Sequence, residues 1–475
     1  MDSEEALERI LRTLSQAGVS PAAAAAFSRM YRAYRRGESG RTAWDEVRTL
    51  EPTDLVALED LEARGLAAEG RRHLCQTAWI VLNGGLGTSM RMARAKSLVT
   101  VKGGLTFLDL LARHVLERRR AWGCEVPLLF MNSFATREDT LQALAPYPLA
   151  MRGADGVPFP LDFVQHRFPR IREEDGLPLG GPEDRKAWAP PGHGDLYLAL
   201  RVSGVLEALL RHGVRWVFVS NVDNLSASLH PAILGLMASA GYEFLMEVTP
   251  KTLADRKGGT LVRRRGRLEL LELVQVPDEH RGDFEDVGLF PVFNTNNLWL
   301  DLQALDDRWG DAGLDLPLMV NRKVVGDVPV VQLETAMGAA IRTFERVGGV
   351  LVPRGRFAPV KTVDDLLVRR SDAYVAERDA PLVPNPARDP SLGPPVVRLD
   401  PRFYGSVPDL DLRIPDPPSL VGARSFTVVG DVRFGAGVVV QGQVVVENSS
   451  TTSLEIPDGA VFSGAGDLSS PSGRT

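Results

Sequence analysis

The chain has 475 residues, 44% hydrophobic and 24% charged, with 55 basic and 61 acidic residues mixed along its length and a formal net charge of −6. That is the composition of an ordinary globular protein long enough for two or three domains, and it lacks the basic bias that general nucleic-acid binding requires. No stretch approaches 18 uninterrupted apolar residues, so no membrane span is expected, and the acidic start MDSEEALERI has neither the basic nor the apolar region of a signal peptide. Cys75 and Cys124 are too few for a disulfide framework and have no metal-ligand spacing, which points to a reducing, cytoplasmic setting.

Residues 1–75 read as a helical segment. Asp2 is followed three positions later by Glu5, a weak capping signal, and ALERILRTL and AFSRMYRAYRR carry apolar residues at helical spacing. From residue 76 to about 380 the texture changes. AWIVLN, PLLFMNSF, RWVFVSN, YEFLMEVT and FPVFNTNNLWL each read as a buried strand, and helical stretches lie between several of them. One helix, in LTFLDLLARHVLERRR, is opened by a capping-box variant, Thr106 with Asp109. Alternating strands and helices predict an α/β domain with a mainly parallel sheet, whose ligands sit at the carboxyl ends of the strands. Residues 381–420 are proline-rich and short of helical periodicity, a connecting segment. In 421–462, valines and glycines recur in steps of roughly six, the pattern of a small parallel β-helix. The Ser/Gly-rich end, 463–475, reads as a disordered tail.

The polar residues that follow the strands carry the chemistry. VLNGGLGTSMRMARAKS, residues 81–97, ends a strand in glycines, with Lys96 nine positions past the last of them. It is neither a Walker loop nor a dinucleotide fingerprint, since Gly87 is followed by Thr88, Ser89 and Met90 with no third glycine. Such a stretch is either a tight turn or a phosphate cradle, and Lys96 favours the cradle. PLLFMNSF ends in Asn132 and Ser133 rather than the acidic ribose partner that a nicotinamide enzyme would need. GHGD, 192–195, sets His193 between glycines as a base, a ligand contact or a turn residue. Asp223, in SNVDN after a buried strand, suits a Mg²⁺ held partly by substrate phosphates. FNTNNLW, 293–299, offers three asparagines suited to sugar hydroxyls. Glu247 and Thr249 follow another strand, and Lys361 lies in a largely apolar stretch. The set lacks a Ser-His-Asp triad, a cysteine nucleophile and a carboxylate pair, which fits phosphoryl or nucleotidyl transfer, where positioning and charge stabilisation dominate.

LNGGLGTSM…KS, PPGHGD, FVSNVDNL, MEVTPKTLADRKGGTL, FNTNNLWLDL, QLETAMGAAI and RFAPVKTVDDLLVRRSDAY occur in the order and approximate spacing of the eukaryotic-type UTP–glucose-1-phosphate uridylyltransferases. The resemblance runs from about Trp44 to about residue 462. It implies a Rossmann-like nucleotidyltransferase domain between a helical N-terminal part and a left-handed β-helix through which an oligomer could form. It also implies the reversible, Mg²⁺-dependent conversion of UTP and glucose 1-phosphate to UDP-glucose and pyrophosphate. A related UDP-sugar pyrophosphorylase with another sugar range is the alternative. By matching motif, Leu82, Asn83, Gly84 and Gly85 would form the nucleotide loop and Lys96 would bind the UTP phosphates. Gln165 and Gly192 would contact uracil, and His193 the sugar phosphate. Asn221 would lie at the diphosphate, Asp223 on Mg²⁺, Asn296 and Glu247 at the sugar, and Lys361 on the phosphate of glucose 1-phosphate. The chain departs from the pattern at Arg91 and Arg94-Ala95, where the family reads Gly and Gly-Pro. Those arginines would either add phosphate cations or face solvent or a neighbouring subunit. The C-terminal repeat is also shorter.

Overall fold

A computed structural model describes residues 3–87, 90–92, 94–153, 156–252, 255–310, 313–376, 381–464 and 466–468. Asp2, Thr88, Ser89 and most of the expected tail (465 and 469–475) lie outside the described residues. Two helices open the chain, α1 (Ser3–Gln16) and α2 (Pro21–Arg35). Helix α1 buries Leu7, Ile10 and Leu14, spaced to share one face. Helix α2 starts at Ser20, whose hydroxyl accepts the Ala23 N–H, with Pro21 at its first position. Their apolar faces meet Phe168, Trp188 and Val331 in a separate core.

The segment up to residue 75 is not wholly helical. Val47–Arg48 pairs with Thr260–Arg264, and β1 (Leu55–Ala57) is an edge strand of the main sheet. Strands of two or three residues are too short to show an alternating pattern, so the sequence gives no sign of them.

The main sheet adds β2 (Thr77–Asn83), β3 (Leu128–Asn132), β4 (Asp162–Val164), β5 (Trp216–Asn221), β6 (Phe244–Pro250), β7 (Val292–Asp301) and β8 (Val347–Leu351). Its order is β1-β8-β6-β7-β5-β2-β3-β4. The five runs expected as strands are β2, β3, β5, β6 and β7. Strand β7 is antiparallel to both neighbours and every other pairing is parallel, so the sheet is mixed and mainly parallel.

All of β2 is buried, as a strand covered on both faces must be. Trp79 and Val81 face one core with α3 (Phe107–Trp122) and α4 (Pro231–Ala240), while Ala78, Ile80 and Leu82 face the other with Leu196, Leu200 and Leu206. Helix α3 starts at the expected capping box: Asp109 N–H donates to Thr106 Oγ1 (3.2 Å) and Thr106 N–H to Asp109 Oδ2 (2.9 Å).

Two expectations are corrected. Cys75 and Cys124 form a disulfide, Cα–Cα 5.6 Å, because the start of β2 and the end of α3 meet although 49 residues separate them in the chain. The proline-rich stretch 381–420 holds a helix, Val407–Arg413, capped by Ser406, and a strand, Val396–Leu399. That strand pairs in parallel with Ala423–Val429, which pairs in parallel with Val439–Glu447. Val439–Glu447 in turn pairs in parallel with Val461–Ser463 and Gly466–Leu468.

Phe218 on β5 is fully buried between Trp79 and Trp299, with ring centroids 5.4 and 4.8 Å away. Phe218→Ala should therefore destabilise the protein by about 3–5 kcal/mol in denaturant titration, the usual range for emptying a buried aromatic site.

Candidate active site

Strands β5, β2, β3 and β4 end level with one another: Asn221 pairs with Leu82, Asn83 with Asn132, and Asn132 with Val164. The residues just beyond these ends, Asp223, Gly84-Gly85 and Gln165, therefore share one edge of the sheet. Asn83 is buried and ties β2 to its neighbour. Its Nδ2 donates to Asn132 Oδ1 and Thr140 Oγ1, both at 2.8 Å. Its carbonyl accepts from Thr136 Oγ1 at 2.7 Å.

The glycine stretch folds back on itself. Leu86 pairs with Ala95, and Lys96 N–H donates to Gly85 O at 3.3 Å. Lys96 thereby returns to the start of the loop, where Nζ meets Asp223 Oδ2 at 2.6 Å with both side chains less than a fifth exposed. Gly84 lies flat against the Gln165 amide: a Cβ at Gly84 would stand 2.8 Å from Oε1 and 2.9 Å from Nε2. Any other residue there would displace the glutamine.

The GHGD turn is clamped to QLETAMG. Thr335 N–H donates to Pro191 O and Gly194 N–H to Thr335 O, both at 2.9 Å. Gly192 has φ +78°, and a Cβ on it would fall 2.3 Å from Thr335 O, so both its conformation and its surroundings require glycine. His193 Nδ1 accepts the Met337 N–H at 2.9 Å. Its recessed position depresses the imidazole pKa to about 4. The ring is therefore neutral at physiological pH, with its proton on Nε2, and acts as a hydrogen-bond donor rather than a base at Nδ1.

On the other side of Asp223, β7 bulges against β6. Met246 pairs with Leu298 but Val248 with Asn294, which leaves 295–297 opposite Glu247 alone. Asn296 takes φ +59° within this bulge and is braced by Asn294, whose Oδ1 accepts the Asn296 N–H and whose Nδ2 donates to Asn296 Oδ1, each at 2.9 Å.

Lys361 precedes the capping box of α5 (Val363–Arg370). It is fastened beside Asp223 by Val360 N–H on Asp223 O (3.1 Å) and Ala358 N–H on Asn224 Oδ1 (2.9 Å). The two lysines thus reach Asp223 from separate segments, Lys96 by its side chain and Lys361 by its neighbouring backbone. Lys361 is exposed at this edge, not enclosed as its apolar sequence context suggests.

These are the sequence signatures and the geometry of a known group. The family model described as UTP–glucose-1-phosphate uridylyltransferase matches residues 24–441. The Solanum tuberosum enzyme of that name is 42% identical over 435 residues, covering 90% of this chain and 89% of the relative. That of Saccharomyces cerevisiae is 39% identical, covering 92% and 86%. Among solved structures, UDP-glucose phosphorylase from Trypanosoma brucei superposes with a TM-score of 0.87 at 38% identity, covering 97% of this chain and 98% of the other. A Leishmania major UDP-glucose pyrophosphorylase variant in complex with UDP-glucose gives 0.86 at 35% identity, covering 98% and 99%. The chain belongs to the UTP–glucose-1-phosphate uridylyltransferase family.

Against the family pattern, Leu82, Asn83, Gly84, Gly85, Lys96, Gln165, Gly192, His193, Asn221, Asp223, Asn296 and Lys361 all come from the segments that meet along this edge. Glu247 is corrected. It is fully buried, and its carboxylate already takes Trp299 Nε1 (2.9 Å), Asn297 Nδ2 (3.1 Å) and both Nη2 (2.9 Å) and Nε (3.1 Å) of Arg356. No lone pair remains for a sugar, and its work is to hold the bulge and Arg356.

Sequence reasoning missed Glu272. Its carboxylate lies on the Gly259 backbone, whose carbonyl accepts the Asn294 N–H at 2.8 Å. Its recessed position raises the carboxyl to about 7, with the Lys361 charge pulling the other way. Glu272 with Gln275 reads in sequence as a capping box, which it also is, so only the fold brings it beside Gly259 and within reach of the Lys361 charge. The Arg91 guanidinium rests over Gly405, its Cζ 3.3 Å from where a Cβ would stand. Arg91 has φ 53° where the family pattern has glycine. Its charge thus docks on the C-terminal part of the chain, which removes it from the candidate phosphate cations, and Arg94 is exposed.

Glu247→Ala would leave the Arg356 guanidinium, 12% exposed, without its carboxylate. A loss of about 3–5 kcal/mol in unfolding free energy is expected, as when one partner of a buried pair is removed. His193 should titrate near pH 4 by NMR rather than at the model-peptide 6.5. Because its folded pKa is depressed, its stabilising contribution is complete above pH 6.5 and is lost as pH falls through 4.

Proposed function

We propose that this chain transfers the uridylyl group of UTP to glucose 1-phosphate, giving UDP-glucose and pyrophosphate. The observation that carries the reading is the convergence of Lys96 and Lys361 on Asp223 at the carboxyl edge, beside a glycine loop closed on itself. A phosphate oxygen of glucose 1-phosphate, ionised at neutral pH, attacks the α-phosphorus of UTP in line, and pyrophosphate leaves. A nucleophile already ionised requires no general base, and neutral His193 is in keeping with that. The barrier is the repulsion between two polyanions. Lys96 on the triphosphate and Lys361 on the sugar phosphate lower it, and backbone N–H groups of Gly84 and Gly85 add to the cradle.

Gln165 and Gly192 contact uracil in this reading, and Asn221 lies at the diphosphate. His193 Nε2–H donates to the sugar phosphate, while Asn296 and Glu272 take glucose hydroxyls. Mg²⁺ fits the donor set. Asp223 gives one oxygen to Lys96, and among the described residues its other oxygen has no protein partner and no cluster of three His, Cys, Asp or Glu forms a resident cage. A single carboxylate suits a cation that takes its other ligands from phosphates and water, and the ion would supply charge neutralisation. The parallel strands from Val396 onward are, in the same reading, coils of a short left-handed β-helix.

Pyrophosphate release tests the assignment. UTP with glucose 1-phosphate should exceed dTTP or ATP, and galactose 1-phosphate or N-acetylglucosamine 1-phosphate, by at least about tenfold in kcat/KM. Lys361→Ala, an exposed change, should keep the unfolding midpoint and lower turnover by about two orders of magnitude or more. Near-normal turnover in that variant would overturn the reading, and equal use of several sugar phosphates would replace it with a broader UDP-sugar activity.

A further inference from the structure

One carboxylate joins the two segments that frame the base site. Asp195 is 4% exposed. Its Oδ2 accepts the His166 backbone N–H at 2.6 Å, and its Oδ1 accepts from His166 Nδ1 at 2.9 Å. His166 is the residue after Gln165, and Asp195 lies two positions after His193. With Nδ1 on Asp195, the ring turns Nε2 towards Ser20, whose Oγ stands 3.5 Å from it. Ser20 is also the N-cap of α2, and Arg167 Nη2 donates to Ala17 O at 2.8 Å. The connection between the two opening helices is thereby attached to the residues that follow Gln165.

A serine, a histidine and a buried carboxylate in this order have the connectivity of a hydrolytic triad, which the sequence alone did not suggest. The local geometry gives them another task. Ser20 Oγ is already the acceptor of a helix N-terminus, and 3.5 Å is too long for a good O–H···N bond. The short contacts are those between His166 and Asp195, and what they fix is backbone: the position of Gln165 relative to Gly192 and His193.

We propose that Asp195 and His166 are positioning residues for base recognition, locking the Gln165 amide against Gly84 and in register with the Gly192–His193 turn so that uracil is selected over cytosine. The proposal rests on Gln165 and Gly192 being the uracil contacts. Uracil and cytosine differ in which ring positions donate and accept, so discrimination depends on where a side-chain amide and a backbone group are held. Sites built to hydrogen-bond a substrate lose selectivity when those groups shift. Within a single strand end a free glutamine would satisfy either base by rotating its amide. Packed on Gly84, and followed by a His166 N–H tied to Asp195, its amide is confined in place.

The test compares kcat and KM for UTP and CTP in the wild type, Asp195→Asn, His166→Asn and His166→Gln. Asparagine puts its amide nitrogen where histidine has Nδ1 and preserves the bond to Asp195; glutamine reaches the Nε2 position and loses it. His166→Asn should keep the UTP-over-CTP ratio within about twofold of wild type, whereas His166→Gln and Asp195→Asn should lower it about tenfold, mainly through KM for UTP, with kcat changed less than about threefold. If Asp195→Asn fails to fold, the contrast between the two His166 variants decides. A wild-type ratio retained in His166→Gln, or lost equally in His166→Asn, overturns the proposal. A wild type that does not prefer UTP overturns it at its base, by removing the uracil assignment of Gln165 and Gly192, and that failure is visible without any variant.

Discussion

The Lys96–Asp223 ion pair is the contact on which the site depends. It spans the ends of two adjacent parallel strands, one delivering the glycine loop and the other delivering Asn221 and Asp223. Both side chains are largely shielded from water. An unpaired ammonium or carboxylate in that position would lose solvation without compensation. Among the described residues the loop is otherwise held by backbone alone: Met90 and Met92 N–H on Gly87 O, Lys96 N–H on Gly85 O, and the Leu86–Ala95 bridge.

The rest of the sheet makes such an edge possible. Parallel order alone would bring loops to the carboxyl side of every strand, but one strand, β7, runs the other way. Its antiparallel course brings FNTNN from its early half to the same edge as the ends of β5 and β6. The bulge at Glu247 then turns Asn296 into a left-handed conformation that an unbroken ladder would not permit. Glu247 pins that irregularity by taking Asn297, Trp299 and Arg356 at once. Arg356 also donates to Ser228 O, so the same guanidinium fastens the segment leading to Lys361. Backbone strain at Asn296 and placement of the second lysine are consequences of one buried charge network.

What the sequence discloses follows the range of the interactions involved. The five long sheet strands, the α3 capping box, the glycine loop, Lys96 and Asp223 rest on local pattern, and they were legible. Short strands such as Leu55–Ala57 hold their place by pairing with residues almost 300 positions away and have no pattern of their own. Glu247 was misread because a carboxylate at a strand end looks alike whether it faces a ligand or a guanidinium 109 residues distant. Glu272 was hidden by a local role it also performs. Arg91 stands in a motif where a cation invites a phosphate reading, and only the fold brings Gly405 beneath it. The same holds for Cys75 and Cys124, whose pairing depends on where α3 ends.

Charge economy explains why the titratable groups here lie where they do. Two substrates bearing several negative charges need cations, and the cations must not be neutralised permanently by the protein. Lys96 has a single oxygen of one carboxylate, and Lys361 faces a Glu272 whose own ionisation is held near neutrality by its recessed position. Glu247, fully buried, is committed to Arg356 rather than to either lysine. His193 adds a donor and no charge, because burial disfavours the protonated ring and the Met337 N–H occupies Nδ1. The cleft therefore presents two lysines, Lys96 on Asp223 and Lys361 exposed at the edge, beside a neutral imidazole.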